Sequence, residues 1–189
     1  DALARKDSKV FGLFGSGGQA VNKILAIDAV RDIEKIKVYS RNAENRIAFC
    51  EKMAPLIEKE IIPVETPEEV IKNSDVVISA TDSNVPVFDG ALLEPGQHVV
   101  TVVGSNSALV EGGWLKSGRR ENDDETVRRA DIIVVNHVES VTMEKQAGLY
   151  DPIQQGIITE DDINSLGAVL TGGHPGRISD EQITYHFNN

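Results

Sequence analysis

The sequence predicts a three-layer α/β domain with a mostly parallel sheet. Three observations lead there. Apolar runs rich in Val and Ile recur at Lys9 to Phe14, Ile36 to Ser40, Asp75 to Ala80, His98 to Val103 and Asp131 to Val135. Segments with helical spacing alternate with them, and strands buried on both faces read as such continuous β-branched runs. Of 189 residues, 40% are hydrophobic but only 5% aromatic, so the core must rest on Val, Ile, Leu and Ala.

Each element has its own signal. Lys9 to Phe14 is a buried strand, and Gly15 to Gly18 a turn. Gln19 to Val30 places Ala20, Ile24, Ile27 and Val30 at helical spacing. Ile36 to Ser40 is a second strand, Ala43 to Met53 a helix ending before Pro55, and Ile61 to Val64 a short strand. Thr66-Pro67-Glu68-Glu69 starts a helix, with Thr as cap, Pro at the first helical position and acids in the first turn. Glu111 to Arg120 reads as a loop in which Arg119 and Arg120 are read as solvated rather than as contacts for an acidic substrate, and the acids Glu121, Asp123, Asp124 and Glu125 open a helix. Beyond Val135 we expect one helix over Glu139 to Gly148, irregular chain, then a last strand at Gln182 to Phe187. No internal repeat or low-complexity segment is present.

Charge narrows the function classes. A formal charge of −11 and a pI of 4.8 make nucleic acid and anionic membranes poor partners. Cys50 is the single cysteine, so no intrachain disulfide is possible, and four scattered histidines suggest no metal site. No apolar run approaches the ~18 residues of a membrane span. The charged opening does not read as a signal peptide. We expect a soluble cytoplasmic protein. The abrupt charged start, and the stop just after a strand-like run, lead us to expect one domain of a longer chain.

Gly15-Ser16-Gly17-Gly18-Gln19-Ala20 fits G-x-G-x-x-A. Glycine turns are common, but this one lies between a buried strand and a helix, as a dinucleotide-binding turn must. Gly15 permits the tight turn, Gly17 lets the backbone approach a diphosphate, and Ala20 lets helix and strand pack closely. The N–H groups at the helix start, with the positive end of its dipole, then attract phosphate. The expected fold is thus a Rossmann fold and the expected cofactor a nicotinamide dinucleotide.

The end of the second strand bears on which one. Sites that prefer NAD carry an acid there. This chain has Tyr39-Ser40-Arg41-Asn42, with Arg46 following. Hydroxyl, guanidinium and amide would attract a 2′-phosphate that an acid would repel. The expectation is NADP(H) over NAD(H), with NAD(H) still possible.

Six segments in this order resemble the ornithine cyclodeaminase/mu-crystallin family: Gly15 to Ala20, Tyr39 to Arg41, Ser79 to Ser83, Val103 to Ser107, Gly156 to Asp162 and Gly176 to Glu181. The resemblance implies a two-domain homodimer in which a second domain, absent from this chain, supplies much of the site for a small imino or amino acid substrate. It also implies that Thr81, Asp82 and Ser83, with Val103, Gly104 and Ser105, hold the dinucleotide beside the glycine loop and Ser40-Arg41. Both loops follow strands, where ligands of open α/β sheets sit, although plain turns would look the same. Cyclodeaminases of the family carry Asp where this chain has Asn106. An amide cannot serve as a general base, whereas hydride transfer at a C=N bond needs only a polar group near the nitrogen. The resemblance therefore implies an imine reductase or amino-acid dehydrogenase with Asn106 as the catalytic candidate. Two alternatives stay open: a cyclodeaminase-type lyase using bound NAD, and a non-catalytic NADP(H)-regulated binding protein of crystallin type.

Cys50, beside Phe49 in a helix, reads as a small buried hydrophobe rather than a nucleophile. His137 reads as a surface or capping residue as readily as a cleft residue. His174 sits in a glycine-rich turn without evident chemistry, and Arg177 in a structural turn before the last strand.

Overall fold

The computed structural model describes residues 2–103 and 107–188, and the side chains of Ser107 and Ala108 are outside that description. Eight strands form one sheet: β1 (Val10–Phe14), β2 (Lys35–Tyr39), β3 (Glu60–Pro63), β4 (Val76–Ser79), β5 (His98–Thr101), β6 (Ile132–Val135), β7 (Ile163–Ser165) and β8 (Thr184–Phe187). Their order is β3-β2-β1-β4-β5-β8-β6-β7, and every pairing is parallel. From β1 the chain first builds outward through β2 and β3, then crosses back to add β4 and β5 on the other side. That reversal between β1 and β4 is the switch point where open α/β sheets leave a crevice.

Alternating side chains give the sheet two buried faces. Phe11, Leu13, Val76, Ile78 and Val100 join a cluster with Ala20, Ile24 and Ile27 of α1 (Gly18–Val30) and Phe49, Cys50 and Met53 of α2 (Ala43–Met53). On the opposite face Phe14, Val77, Val99, Tyr185 and Phe187 pack with α3 (Pro67–Ile71), α5 (Asp124–Arg129), α6 (Val138–Met143) and α7 (Ala147–Gln154). The expected three-layer Rossmann architecture is what the structure has. α4 (Ser107–Glu111) and α8 (Leu166–Thr171) complete the helices among the described residues.

Local chemistry sets the element ends. Thr66 and Glu69 form a reciprocal capping box at α3, and Asn42 caps α2 by accepting from the Asn45 N–H at 2.9 Å. Gly12 is required where α3 crosses β1, because a Cβ there would lie 2.5 Å from the Val70 carbonyl oxygen. The amino ends of the strands are stapled. Asp75 accepts from the N–H groups of Lys9 and Val10 and from the Arg5 guanidinium. Arg177 donates to the carbonyls of Leu3, Ser179, Gln182 and Gln97 and to the Thr184 hydroxyl.

Two features differ from the sequence expectation. The helix expected over Glu139 to Gly148 is two, α6 and α7, broken where Lys145 turns left-handed at φ 50°. The break lets Gly148 seat against the Phe187 ring, where a Cβ would approach to 2.4 Å. The stretch expected to be irregular contains α7, the edge strand β7 and α8. The last strand, whose place in the sheet the sequence left open, inserts between β5 and β6.

Candidate functional site

A cleft of about 690 Å³ opens at the switch point, over the carboxyl ends of β1, β2 and β4. It lies within the size range of small-molecule and cofactor sites. Its walls are Gly15 to Gln19, then Ser40 to Asn42, then Thr81 to Ser83, with Phe14 and Tyr39 also lining it. Phe14 stacks on Phe88 at 5.4 Å and meets Tyr39 edge-on at 6.1 Å, which stiffens this part of the wall.

The glycine turn is built by close backbone contact. Gly15 has φ +113°, and a Cβ there would lie 2.3 Å from the Ala80 carbonyl oxygen, so only glycine fits between β1 and the loop after β4. Gly17 is the residue before α1, and a Cβ on it would meet no protein atom within 4 Å. No side chain caps this helix. Its first N–H donors and the positive end of its dipole are therefore presented to the cleft. Ala20 is fully buried and supplies packing rather than wall.

At the β2 tip Arg41 is exposed, lines the cleft and makes no hydrogen bond or ion pair among the described residues. The Ser40 hydroxyl donates to the Asn42 carbonyl at 3.1 Å, and the Asn42 side-chain oxygen is used in capping α2. The Asn42 NH₂ group makes no hydrogen bond among the described residues. Arg46 is not in the cleft wall. Its guanidinium donates to the Ser40 carbonyl at 3.1 Å and lies over the Tyr39 ring at 5.7 Å, so it shapes the β2 tip from behind.

The loop after β4 is held by a residue the sequence reading placed elsewhere. Glu121 is fully buried. Its Oε1 accepts from the Thr81 N–H at 2.6 Å and the Thr81 hydroxyl at 2.7 Å. Its Oε2 accepts from the N–H groups of Val102 and Val103, both at 2.9 Å. It is not a helix-opening acid, because α5 begins at Asp124 with Asp123 as its cap. The Arg120 side chain is not solvated either: it is only 15% exposed and paired with Asp124, and its N–H donates to the Ser83 carbonyl at 3.3 Å. No local signal singles it out, because in sequence it reads as one more acid beside a helix start. Of the remaining candidates, Val103 touches this carboxylate. Gly104, Ser105 and Asn106 lie outside the described residues.

Other residues fall away from the cleft wall. Cys50 is buried and its thiol is pushed up to about 11 by burial. His137 pairs with Ser140 and Glu139 at the start of α6, and His174 accepts from the Gly176 N–H at 3.0 Å. Among the described residues no three His, Cys, Asp or Glu are grouped to hold a metal ion, and no helix is long and apolar enough to cross a membrane.

Comparison with known proteins gives this geometry its context. Delta(1)-pyrroline-2-carboxylate reductase of Bacillus cereus is 30% identical over 183 residues, which is 96% of this chain and 53% of that protein. Alanine dehydrogenase of Archaeoglobus fulgidus is 30% identical over 187 residues, 96% of this chain and 52% of that protein. The chain thus spans about half the length of the curated relatives it matches. Among solved structures, Thermococcus litoralis Delta(1)-pyrroline-2-carboxylate reductase, in complex with NADH and L-proline, superposes with a TM-score of 0.87 at 35% identity. That match covers 99% of this chain and 55% of the other. Iminosuccinate reductase of Paracoccus denitrificans, in complex with NAD+, gives 0.83 at 26% identity over 99% of this chain and 53% of that one. The model of the ornithine cyclodeaminase/mu-crystallin family matches residues 2–187, and with the cleft at the same switch point as the glycine turn, the chain belongs to that family.

Proposed function

We propose that this chain is the cofactor-binding domain of an NADP(H)-dependent oxidoreductase that interconverts the C=N and CH–NH forms of a small imino or amino acid. The observation that carries the reading is the uncapped start of α1, reached through a Gly15 that no other residue can replace and opening on the cleft. Such a terminus favours a diphosphate. A bound nicotinamide would supply or accept the hydride. The chain's own part is to seat the cofactor: Gly15 to Gln19 on the diphosphate with Ala20 packing the helix behind them, Thr81 to Ser83 and Val103 to Ser105 on ribose and nicotinamide, and Asn106 as a polar partner for the substrate nitrogen.

The substrate class is supported by the relatives. Pyrroline-2-carboxylate, iminosuccinate and alanine, which their names specify, share a carboxylate next to an imino or amino carbon. The rest of the substrate site, and a homodimeric assembly, belong in this reading to the whole protein.

NADP(H) is favoured by Arg41, exposed at the β2 tip beside the Ser40 hydroxyl and the Asn42 amide, with no acid among Tyr39 to Asn42. NAD(H) is the second reading, favoured by the NADH and NAD+ complexes of the two structural relatives. Calorimetric titration of both cofactors against the chain and its Arg41→Ala variant tests this. NADPH should bind more tightly, and Arg41→Ala should weaken NADPH about tenfold while leaving NADH within about twofold, one lost charge-assisted phosphate contact being worth about 1.5 kcal/mol or more. Tighter NADH binding that ignores the substitution refutes it.

A further inference from the structure

We propose that Glu121 is the positioning residue for the nicotinamide half of the dinucleotide seat, locking the loop after β4 to Val102 and Val103 at the end of β5. The inference rests on the cofactor reading above and goes beyond it, because Glu121 lines no wall of the cleft. Its carboxylate takes four donors, two from Thr81 and two from Val102 and Val103, at 2.6 to 2.9 Å. The residue has no solvent exposure, and among the described residues no basic side chain pairs with it. A buried carboxylate without a cation is tolerated only where hydrogen bonds replace water, and here both oxygens are so occupied.

Beyond the Val102 N–H, which also donates to the Ser79 carbonyl at 3.2 Å, the bonds that join the two segments run through Glu121. The two segments leave adjacent strands, and the Val103 N–H points at Glu121 rather than at a ladder partner. The segment carrying Glu121 crosses both strand ends as a strap. The Arg120 N–H donates to the Ser83 carbonyl at 3.3 Å, and the Val87 N–H to the Glu121 carbonyl at 3.0 Å. A cofactor that needs Thr81 and the Val102–Val103 segment at once thus meets them already set, and ordering cost is removed before binding. The glycine turn and the β2 tip make no hydrogen bond to Glu121, so the adenosine and diphosphate half should not depend on it.

Glu121→Gln separates the two halves. It keeps the shape but turns an NH₂ group toward either the Thr81 or the Val102–Val103 donors, and one loop is released. Calorimetry with ADP and with intact NADPH and NADH is the assay, on variant and parent chains matched by circular dichroism. In the parent the dinucleotide should bind more tightly than ADP. In Glu121→Gln that advantage should fall at least tenfold, with ADP affinity within about twofold. Equal losses for ADP and dinucleotide, or no loss, overturn the assignment. A parent chain that binds neither ligand overturns the cofactor seat itself, and the role of Glu121 with it. If the variant does not fold, hydrogen exchange of the parent decides: the Val103 amide should be protected without ligand, and exchange at the free-chain rate overturns the proposal.

Discussion

Replacing Gly15 and Gly17 by alanine, one at a time, should separate folding from binding within a three-residue turn. At Gly15 the new methyl meets the Ala80 carbonyl oxygen at 2.3 Å and its carbon at 3.0 Å, both backbone atoms that cannot rotate away. The φ of +113° is also a region that L-residues avoid. Backbone strain of about 1–3 kcal/mol and overpacking of about 1–3 kcal/mol add to roughly 4 kcal/mol. For a chain of this length that is a fall of roughly 8–16 °C in Tm. At Gly17 φ is −89° and no protein atom lies within 4 Å of the added methyl. The loss there should be about 0.5–1 kcal/mol, from a poorer helix cap. Dinucleotide affinity should nevertheless drop about tenfold or more, because the methyl stands where a phosphate must approach. Thermal and urea unfolding by circular dichroism, with NADPH and NADH titrations on each folded variant, give both numbers. A Gly15→Ala protein as stable as its parent, or a Gly17→Ala protein that binds unchanged, would refute the reasoning.

Three further outcomes are expected. Cys50 should resist thiol reagents at pH 8 until the chain unfolds, since burial both hides the thiol and pushes it up to about 11; rapid labelling of the folded chain would contradict this. Burial also holds His98 well below its ordinary 6.5 and His186 down to about 4, so below about pH 6.5 the unfolded chain takes up protons that the folded one refuses. Urea midpoints should therefore be highest above about pH 6.5 and fall toward pH 4, less steeply in His186→Gln; an unchanged slope in that variant would count against the argument. Arg177→Met should cost about 3 kcal/mol in urea unfolding, because several carbonyls at the amino ends of the strands lose their donor, yet leave dinucleotide affinity as it was; a loss of affinity in the folded variant would show that the two ends of the sheet are coupled.

What could be read in the sequence follows from the range of the interactions involved. The strands β1, β4, β5 and β6 were legible because burial on two faces leaves a run that no surface segment imitates, and β2 because its apolar residues alternate. Helix α2 was legible at both ends, since Asn42 caps it through a neighbour three residues on. The place of β8 was not, because nothing near Thr184 to Phe187 says that it pairs with His98 to Thr101 on one side and Ile132 to Val135 on the other. Strand β7 has three residues at an edge, too few for a periodic signal. The break at Lys145 answers to Phe187, forty-two residues away, against which Gly148 must lie.

Glu121 shows the same limit at the site. In sequence it is one of four acids near a helix start, and the helix dipole accounts for all of them equally well. Only the fold distinguishes it, by bringing Thr81 from forty residues before and Val102 and Val103 from nineteen and eighteen residues before onto one carboxylate. The polar groups of this sheet then divide by end. At the amino ends, Asp75 takes up the N–H groups of Lys9 and Val10, and Arg177 the carbonyls of Leu3 and Gln182. At the carboxyl ends, Glu121 satisfies the loops after β4 and β5, while the first donors of α1 receive no side chain. A cleft whose surroundings are hydrogen-bonded, but whose central helix start is left open, fits the proposed reading in which an anion comes from outside the chain.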